Sequence, residues 1–245
     1  MHLNSGTERP YVICHMIASM DGRIDGEYFK MPELKPVLAA SHDIRAEYGC
    51  KAVLNGAVTA AEIYADGYLN ALSETEKRFP REDHVEDAGL DRFAIAVDIE
   101  GRLKWSKNYV EWASQPKSHV IVVLTENVSD ACIAYLRDLR ISYLFAGKER
   151  LDISLMLQKL KALFGIEKLL ISGGGVLNWS FLQAGCMDEL NLVLAPLTDG
   201  MTDTATIFDR SPYLTENIPT VFALKDVKRL PGDGVWLKYI PKRTN

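Results

Sequence analysis

The sequence predicts an α/β fold, a mostly parallel sheet with helices between its strands and an antiparallel hairpin at the C-terminal end. Three observations predict it. Short apolar, β-rich runs alternate with helical stretches from Tyr11 onward. A glycine triplet, Gly173-Gly174-Gly175, joins an apolar run to a helical pattern. The last two β-rich runs flank Pro231-Gly232-Asp233-Gly234, which reads as the turn of a hairpin.

Each element has its own warrant. Tyr11–Ala18 is apolar enough for a buried strand and ends at two glycine turns, Asp21-Gly22 and Asp25-Gly26. Pro32 suits the first turn of a helix over 33–48 that Gly49 stops. Residues 52–54 form a short strand, and a helix over 59–65 is entered through Asn55-Gly56. Phe93–Val97 and 120–124 are the next strands, with the charged stretch 74–91 a surface excursion before them. Ser129 or Asp130 can cap a helix that runs to Leu139, and a strand follows over 143–145.

Asp152 is an N-cap for the next helix. Apolar residues at 153, 156, 157, 160, 163 and 164 give it one buried face, and Gly165 falls where a left-handed cap would end it. Lys168–Ile171 is the strand that enters the glycines. A helix over 177–184 closes at Gly185, and Leu190, Leu192 and Leu194 alternate along a strand that stops before Pro196. The runs 221–224 and 235–240 make the hairpin.

At 245 residues, 47% hydrophobic and 25% charged, the chain has ordinary globular composition, and one domain over 1–245 suffices. A formal charge of −5 and a pI near 5.6 argue against nucleic-acid or membrane-surface partners, which need clustered Lys and Arg. No window approaches the ~18 apolar residues of a membrane span, so the expected location is cytoplasmic. Cysteines 14, 50, 132 and 186 form no C-x-x-C pair and have no histidine at zinc spacing, so no metal is expected.

Chemistry concentrates at the glycine triplet. Residues without a Cβ let the backbone turn sharply and bring its N–H groups close to a ligand, and at a helix start those groups sit at the positive end of the macrodipole. An anion, above all a phosphate, would bind there. No G-x-G-x-x-G is present and the run lies late in the chain, which disfavours a plain dinucleotide-binding Rossmann domain. In parallel sheets ligands collect beyond the carboxyl ends of the strands, where Asp21, Asn55-Gly56 and Gly173–Gly175 all fall, so one cleft is expected to gather them.

Four stretches carry a resemblance. Arg9-Pro10-Tyr11-Val12 through Ser19-Met20-Asp21-Gly22-Arg23-Ile24 resembles the opening strand and Ser-x-Asp-Gly-Lys/Arg-Ile turn of the reductase domain of bifunctional riboflavin-biosynthesis deaminase/reductase proteins, in the dihydrofolate-reductase-like superfamily. Ala52-Val53-Leu54-Asn55-Gly56-Ala57-Val58-Thr59 resembles its Gly-x-x-Thr segment, and Val97-Asp98 with Gly101-Arg102-Leu103 is a looser echo. The longest match holds Gly173-Gly174-Gly175, Asn178, Phe181-Leu182, Gly185, Asp188-Glu189-Leu190 and Pro196 in the family's order.

The resemblance implies a dihydrofolate-reductase-like three-layer α/β/α fold without the deaminase domain, a homodimer, NADPH as cofactor, and hydride transfer to the ribosyl carbon of a small heterocyclic substrate, a ribosylaminopyrimidine. Carried over by position, the cofactor contacts are Ala18, Asn55, Gly56, Thr59, Ser172, Gly173, Gly174, Gly175, Val176, Leu177 and Asn178. The substrate residues depart from the pattern. His15 stands where the family has Lys, Ser172 where it has an acid, and Glu47, Tyr48 and Gly49 where its phosphate-binding arginine is expected. Without a guanidinium a sugar phosphate loses strong charge-assisted contacts, so either other bases hold it or the substrate is an unphosphorylated pyrimidine, pterin or carbonyl compound.

Single residues keep two readings each. Asp21 is the first candidate catalytic residue, or it makes the turn through an Asx hydrogen bond. His15 orients substrate and donates a proton, or packs in the core on the face of Ile13 and Ile17. Thr59 meets a phosphate or caps its helix, and Ser172 meets ligand or backbone. Lys148 and Arg150 face an adenosine 2′-phosphate or solvent. Glu33, after Met31-Pro32, stands near the place of the single acid of dihydrofolate reductases, where a helix dipole alone would favour Glu. Pterin reduction and non-catalytic nucleotide binding are the alternative functions.

Overall fold

A computed structural model describes residues 8–111, 116–212, 214 and 216–242. The chain forms two compact units, one built chiefly from Lys51–Leu169 and the other from Tyr11–Cys50 with the residues from Leu170 onward. Among the described residues they hold ten strands and five α-helices, as an α/β chain closed by a hairpin.

In the first unit, β2 (Ala52–Gly56), β3 (Phe93–Val97), β5 (Ser118–Leu124) and β6 (Ser142–Phe145) lie parallel in that order. The two-residue β4 (Tyr109–Val110), which the pattern did not show, pairs antiparallel with the start of β5. Every residue of β5 is buried, the continuous apolar run expected of a strand covered on both faces. Helices α2 (Ala57–Ile63), α3 (Asp130–Asp138) and α4 (Ile153–Phe164) connect the strands. Ser129 caps α3 by accepting from the Cys132 N–H at 3.1 Å, and Asp152 caps α4 by accepting from Leu155 N–H at 2.9 Å, while Gly165 ends α4 at φ +63°. Removing the Ser129 hydroxyl leaves the Cys132 N–H only the Ser129 carbonyl as acceptor, also at 3.1 Å. Ser129→Ala is expected to lower stability by about 1 kcal/mol in urea unfolding.

The charged excursion does more than lie on the surface. His84 exchanges backbone hydrogen bonds with Tyr143 (2.8 and 2.9 Å), so it covers β6 where that strand would otherwise present an open edge. Asp130 anchors the excursion by accepting from Arg81, Arg78 and the Phe79 N–H, which holds its carboxyl down at about 2.

In the second unit, β1 (Tyr11–Ala18) pairs parallel with β8 (Glu189–Leu194), β8 antiparallel with β10 (Val235–Pro241), and β10 antiparallel with β9 (Phe222–Arg229). Strand β7 (Lys168–Ile171) carries the chain out of the first unit into α5 (Gly175–Gln183). Helix α1 (Lys35–Glu47) starts later than the pattern suggests. Residues Pro32–Leu34 form a separate 3₁₀ turn, and Pro36 is the proline in the first turn of α1. Val37, Ser41 and Ile44 are its buried stripe, and Val37 and Ile44 pack with Tyr28, Leu34, Val193 and Trp236.

A buried polar network lies at the start of β8. The Glu189 carboxylate accepts from Tyr48, from Asn191 at 2.9 Å, from Tyr11 at 3.2 Å and from Lys238 at 2.9 Å, while Asn191 Oδ1 accepts from Trp236 at 2.9 Å. Burial alone would raise the Glu189 pKa. The hydrogen bonds from Tyr48, Asn191 and Lys238, with the Lys238 charge, bring it below the usual carboxylate value. Burial and this carboxylate push Tyr11 up to about 12.

Candidate functional site

In the second unit the carboxyl end of β1 is built around Asp21. Ala18, fully buried, closes the strand and its carbonyl accepts from Ala195 N–H at 2.8 Å. A tight turn follows, with Gly22 at φ +84° donating to the Ser19 carbonyl. The Asp21 carboxylate accepts from Ser19 Oγ (2.5 Å) within that turn and from the Asp199 and Gly200 N–H groups (3.1 and 2.8 Å) in the loop after β8. Those donors, Ser19 first, depress its pKa far below the ordinary carboxylate value. It stays ionised at any working pH.

His15 lies at mid-strand and faces α1. Its Nε2 is 2.7 Å from Ser41 Oγ, and its Nδ1 is buried with no hydrogen-bond partner among the described residues. Burial first, and the nearby Arg45 charge second, push its pKa down to about 3. It is a neutral imidazole in the core of this unit.

The glycine triplet divides its work. Gly173 turns the chain at φ +96°, its peptide to Gly174 is cis, and Gly174 is the N-cap of α5. No side chain caps this helix, so its first N–H groups lack the usual capping acceptor. Gly175 serves packing within the protein: a Cβ there would overlap the Thr206 carbonyl and the Asp209 carboxylate. Ser172 is half-buried, Val176 exposed and Leu177 buried. Asn178 is fully buried; its Nδ2 donates to the Ile207 carbonyl at 2.9 Å, and its Oδ1 has no partner among the described residues.

The segment that joins these two places gave little sign of itself in the sequence. Residues 199–209 run from Asp21 to the start of α5. Ile24 N–H donates to the Ala205 carbonyl (3.0 Å), Arg23 Nη1 to the Thr204 carbonyl (2.9 Å), and Thr206 gives both its N–H and its hydroxyl to Asp209. The available signal was the Thr-Asp-Gly turn at 198–200 and the Thr/Asp spacing after it.

Other expected site residues belong to the first unit or to its loops. Asn55 is buried near the end of β2, Gly56 is the N-cap of α2, and Thr59 is a half-buried residue in the first turn of that helix. Thr59 therefore does not cap α2. Lys148 and Arg150 lie exposed in the loop between β6 and α4, and in the second unit Glu33 is exposed in its 3₁₀ turn. At the end of β3, Asp98 is buried and accepts from the Arg102 and Leu103 N–H groups (3.0 and 2.8 Å), which closes the turn that Gly101 permits at φ +66°. The four cysteines are buried, and burial raises the thiol pKa of Cys14.

Against this geometry the family comparison is decisive, because the model of the RibD C-terminal domain matches residues 10–235. The chain belongs to that family. A curated relative in Methanothermobacter thermautotrophicus, named 2,5-diamino-6-ribosylamino-4(3H)-pyrimidinone 5′-phosphate reductase, is 26% identical over 206 residues, which is 82% of this chain and 84% of the relative. Among solved structures, the RibD of Acinetobacter baumannii superposes with a TM-score of 0.61 at 22% identity, over 96% of this chain and 59% of that one. A pyrimidine reductase-like protein of Corynebacterium diphtheriae gives 0.65 at 16% identity, over 99% of this chain and 96% of that one.

The chain thus spans about three-fifths of the Acinetobacter protein and nearly all of the Corynebacterium one. The fold is the RibD-type, dihydrofolate-reductase-like α/β fold that the resemblance implied. By family the RibD-like chain is an oxidoreductase similar to the pyrimidine reductases of riboflavin biosynthesis, a family that uses a nicotinamide cofactor. No helix among the described residues is long and apolar enough to cross a membrane.

Proposed function

We propose that the chain is an NADPH-dependent reductase acting on a ribosylaminopyrimidinone 5′-phosphate, the substrate class in its relatives' name. The observation that carries this is the match to the Methanothermobacter reductase over more than four-fifths of both chains. The residues fit a dinucleotide. The side-chain-free cap of α5 suits a pyrophosphate, and Asn178 Oδ1, a buried acceptor with no protein partner among the described residues, suits a hydroxyl or amide donor. In the second unit Gly173, Gly174, Val176, Leu177 and Asn178 would hold NADPH, with Ala18 and Ser172 as further contacts and Gly175 making room for Thr206 and Asp209 behind them; Asn55, Gly56 and Thr59 belong to the first unit. The bound cofactor supplies the hydride.

The chain's own residues orient and enclose. In this reading Asp21, fully ionised, holds its turn and does not donate a proton, and His15, neutral and buried, ties β1 to α1 through Ser41. We also infer a cytoplasmic homodimer, with Leu224 and Val227, exposed on edge strand β9, as apolar surface for a second copy.

Thermal shift with NADPH, NADH and no nucleotide tests the cofactor. NADPH at ~100 times its Kd is expected to add about 2.7 kcal/mol of stability and NADH less. If neither nucleotide raises the melting temperature at millimolar concentration, the reading fails. Where NADPH binds, loss of the reduced-nicotinamide absorbance on adding the ribosylaminopyrimidinone phosphate is the expected result. Silence there, and with dihydrofolate, would leave a nucleotide-binding protein without the chemistry.

A further inference from the structure

We propose that residues 199–209 are a strap through which Asp21 positions the start of α5, making Asp21 a positioning residue for the cofactor that it does not touch. Only its second readout rests on the NADPH reading above.

Two lines run from the Asp21 carboxylate into the strap. One is direct, through the N–H groups of Asp199 and Gly200. The other passes through Ser19, whose hydroxyl donates to Asp21 Oδ1 while accepting the Arg23 N–H at 2.9 Å. Arg23 and Ile24 then hold the strap by Thr204 and Ala205, and Arg23 bridges to Thr206. An Asp that served its own turn alone would need only the Ser19 contact.

The far end of the strap is hydrogen-bonded within itself and packed against the helix start. Thr206 and Asp209 close on each other through the Thr206 N–H and hydroxyl. The Thr206 carbonyl and Asp209 carboxylate fill the space beside Gly175 where a side chain would be, and Asn178 ties the Ile207 carbonyl. A shift of the strap at Gly200 is passed on through the Thr204 and Ala205 contacts toward Gly175 and Asn178.

Asp21→Asn keeps the shape of the side chain and removes its charge and one acceptor oxygen. Amide hydrogen exchange is expected to quicken about tenfold at Thr206 as well as at Gly200, with Leu192 in β8 unchanged. Quickening at Gly200 with none at Thr206 overturns the proposal. Measured by fluorescence titration without substrate, the Kd for NADPH is expected to rise about fivefold in Asp21→Asn. The rise should shrink when Asn178→Ala has already removed one of the far-end contacts, because both changes then weaken one connection. Equal effects in both backgrounds overturn the coupling. The expected exchange pattern in Asp21→Asn, together with a wild-type protein that binds no NADPH, would sink the cofactor assignment and leave the strap standing.

Discussion

Acidification from pH 6.5 is expected to weaken the fold by about 1.4 kcal/mol per pH unit through His15 alone, and His15→Gln to remove that slope. The buried imidazole has its pKa lowered from 6.5 to about 3, chiefly by burial and then by the Arg45 charge. The unfolded chain therefore binds a proton that the folded one refuses, so stability rises with pH across that window. The full contribution is present above 6.5 and is lost as pH falls toward 3. His119, buried beside Ser142, shifts in the same direction, again through burial, so the double replacement should flatten the profile further. Glu189, held below 4.5, contributes stability that is lost only at lower pH, while Asp98, whose carboxyl is raised by burial, opposes the histidine slope equally in wild type and variant. Urea unfolding at half-unit pH steps measures the slopes. Parallel curves for His15→Gln and wild type between pH 6.5 and 4.5 would show that His15 is accessible to solvent and would reopen its role as a proton donor.

This result bears on how far the sequence could be read. Strand positions and the Asp152 and Gly165 caps were legible because they depend on local spacing, and β1 through Ala18 needed only its apolar run. The start of α1 was misplaced because Pro32 and Pro36 both suit a first turn, and only the packing of Leu34 and Val37 decides between them. His15 was legible as a residue on the Ile13 face, but its partner Ser41 lies 26 positions away. The candidate site divides in the same way. The glycine turn was visible from its composition. That Gly175 makes room for Thr206 and Asp209 was not, since nothing in a glycine run states which member faces ligand and which faces protein. The Glu189 network was hidden for a related reason, joining residues from β1, α1, β8 and β10 that no short window contains.

Gly175→Ala is expected to cost about 3 kcal/mol, the upper part of the range for overpacking. The backbone angle is not the obstacle, for Gly175 has no positive φ, and alanine favours a helix over glycine by up to ~1 kcal/mol. The loss comes from the Thr206 carbonyl, which is backbone in a segment held from both ends, and from the Asp209 carboxylate. Neither can move without giving up hydrogen bonds, Asp209 to Thr206 or Ile207 to Asn178. Gly49→Ala is the control. That glycine has φ +59° and open space around its Cβ position, so alanine there meets only the backbone penalty, about 1 kcal/mol. Denaturant unfolding of the two variants separates a strained backbone from a blocked contact. If Gly175→Ala stays within 1 kcal/mol of wild type, the strap does not press on α5. In the expected case the variant also binds NADPH at least tenfold more weakly, because the methyl displaces the strap at the helix start that holds the pyrophosphate in the proposed complex.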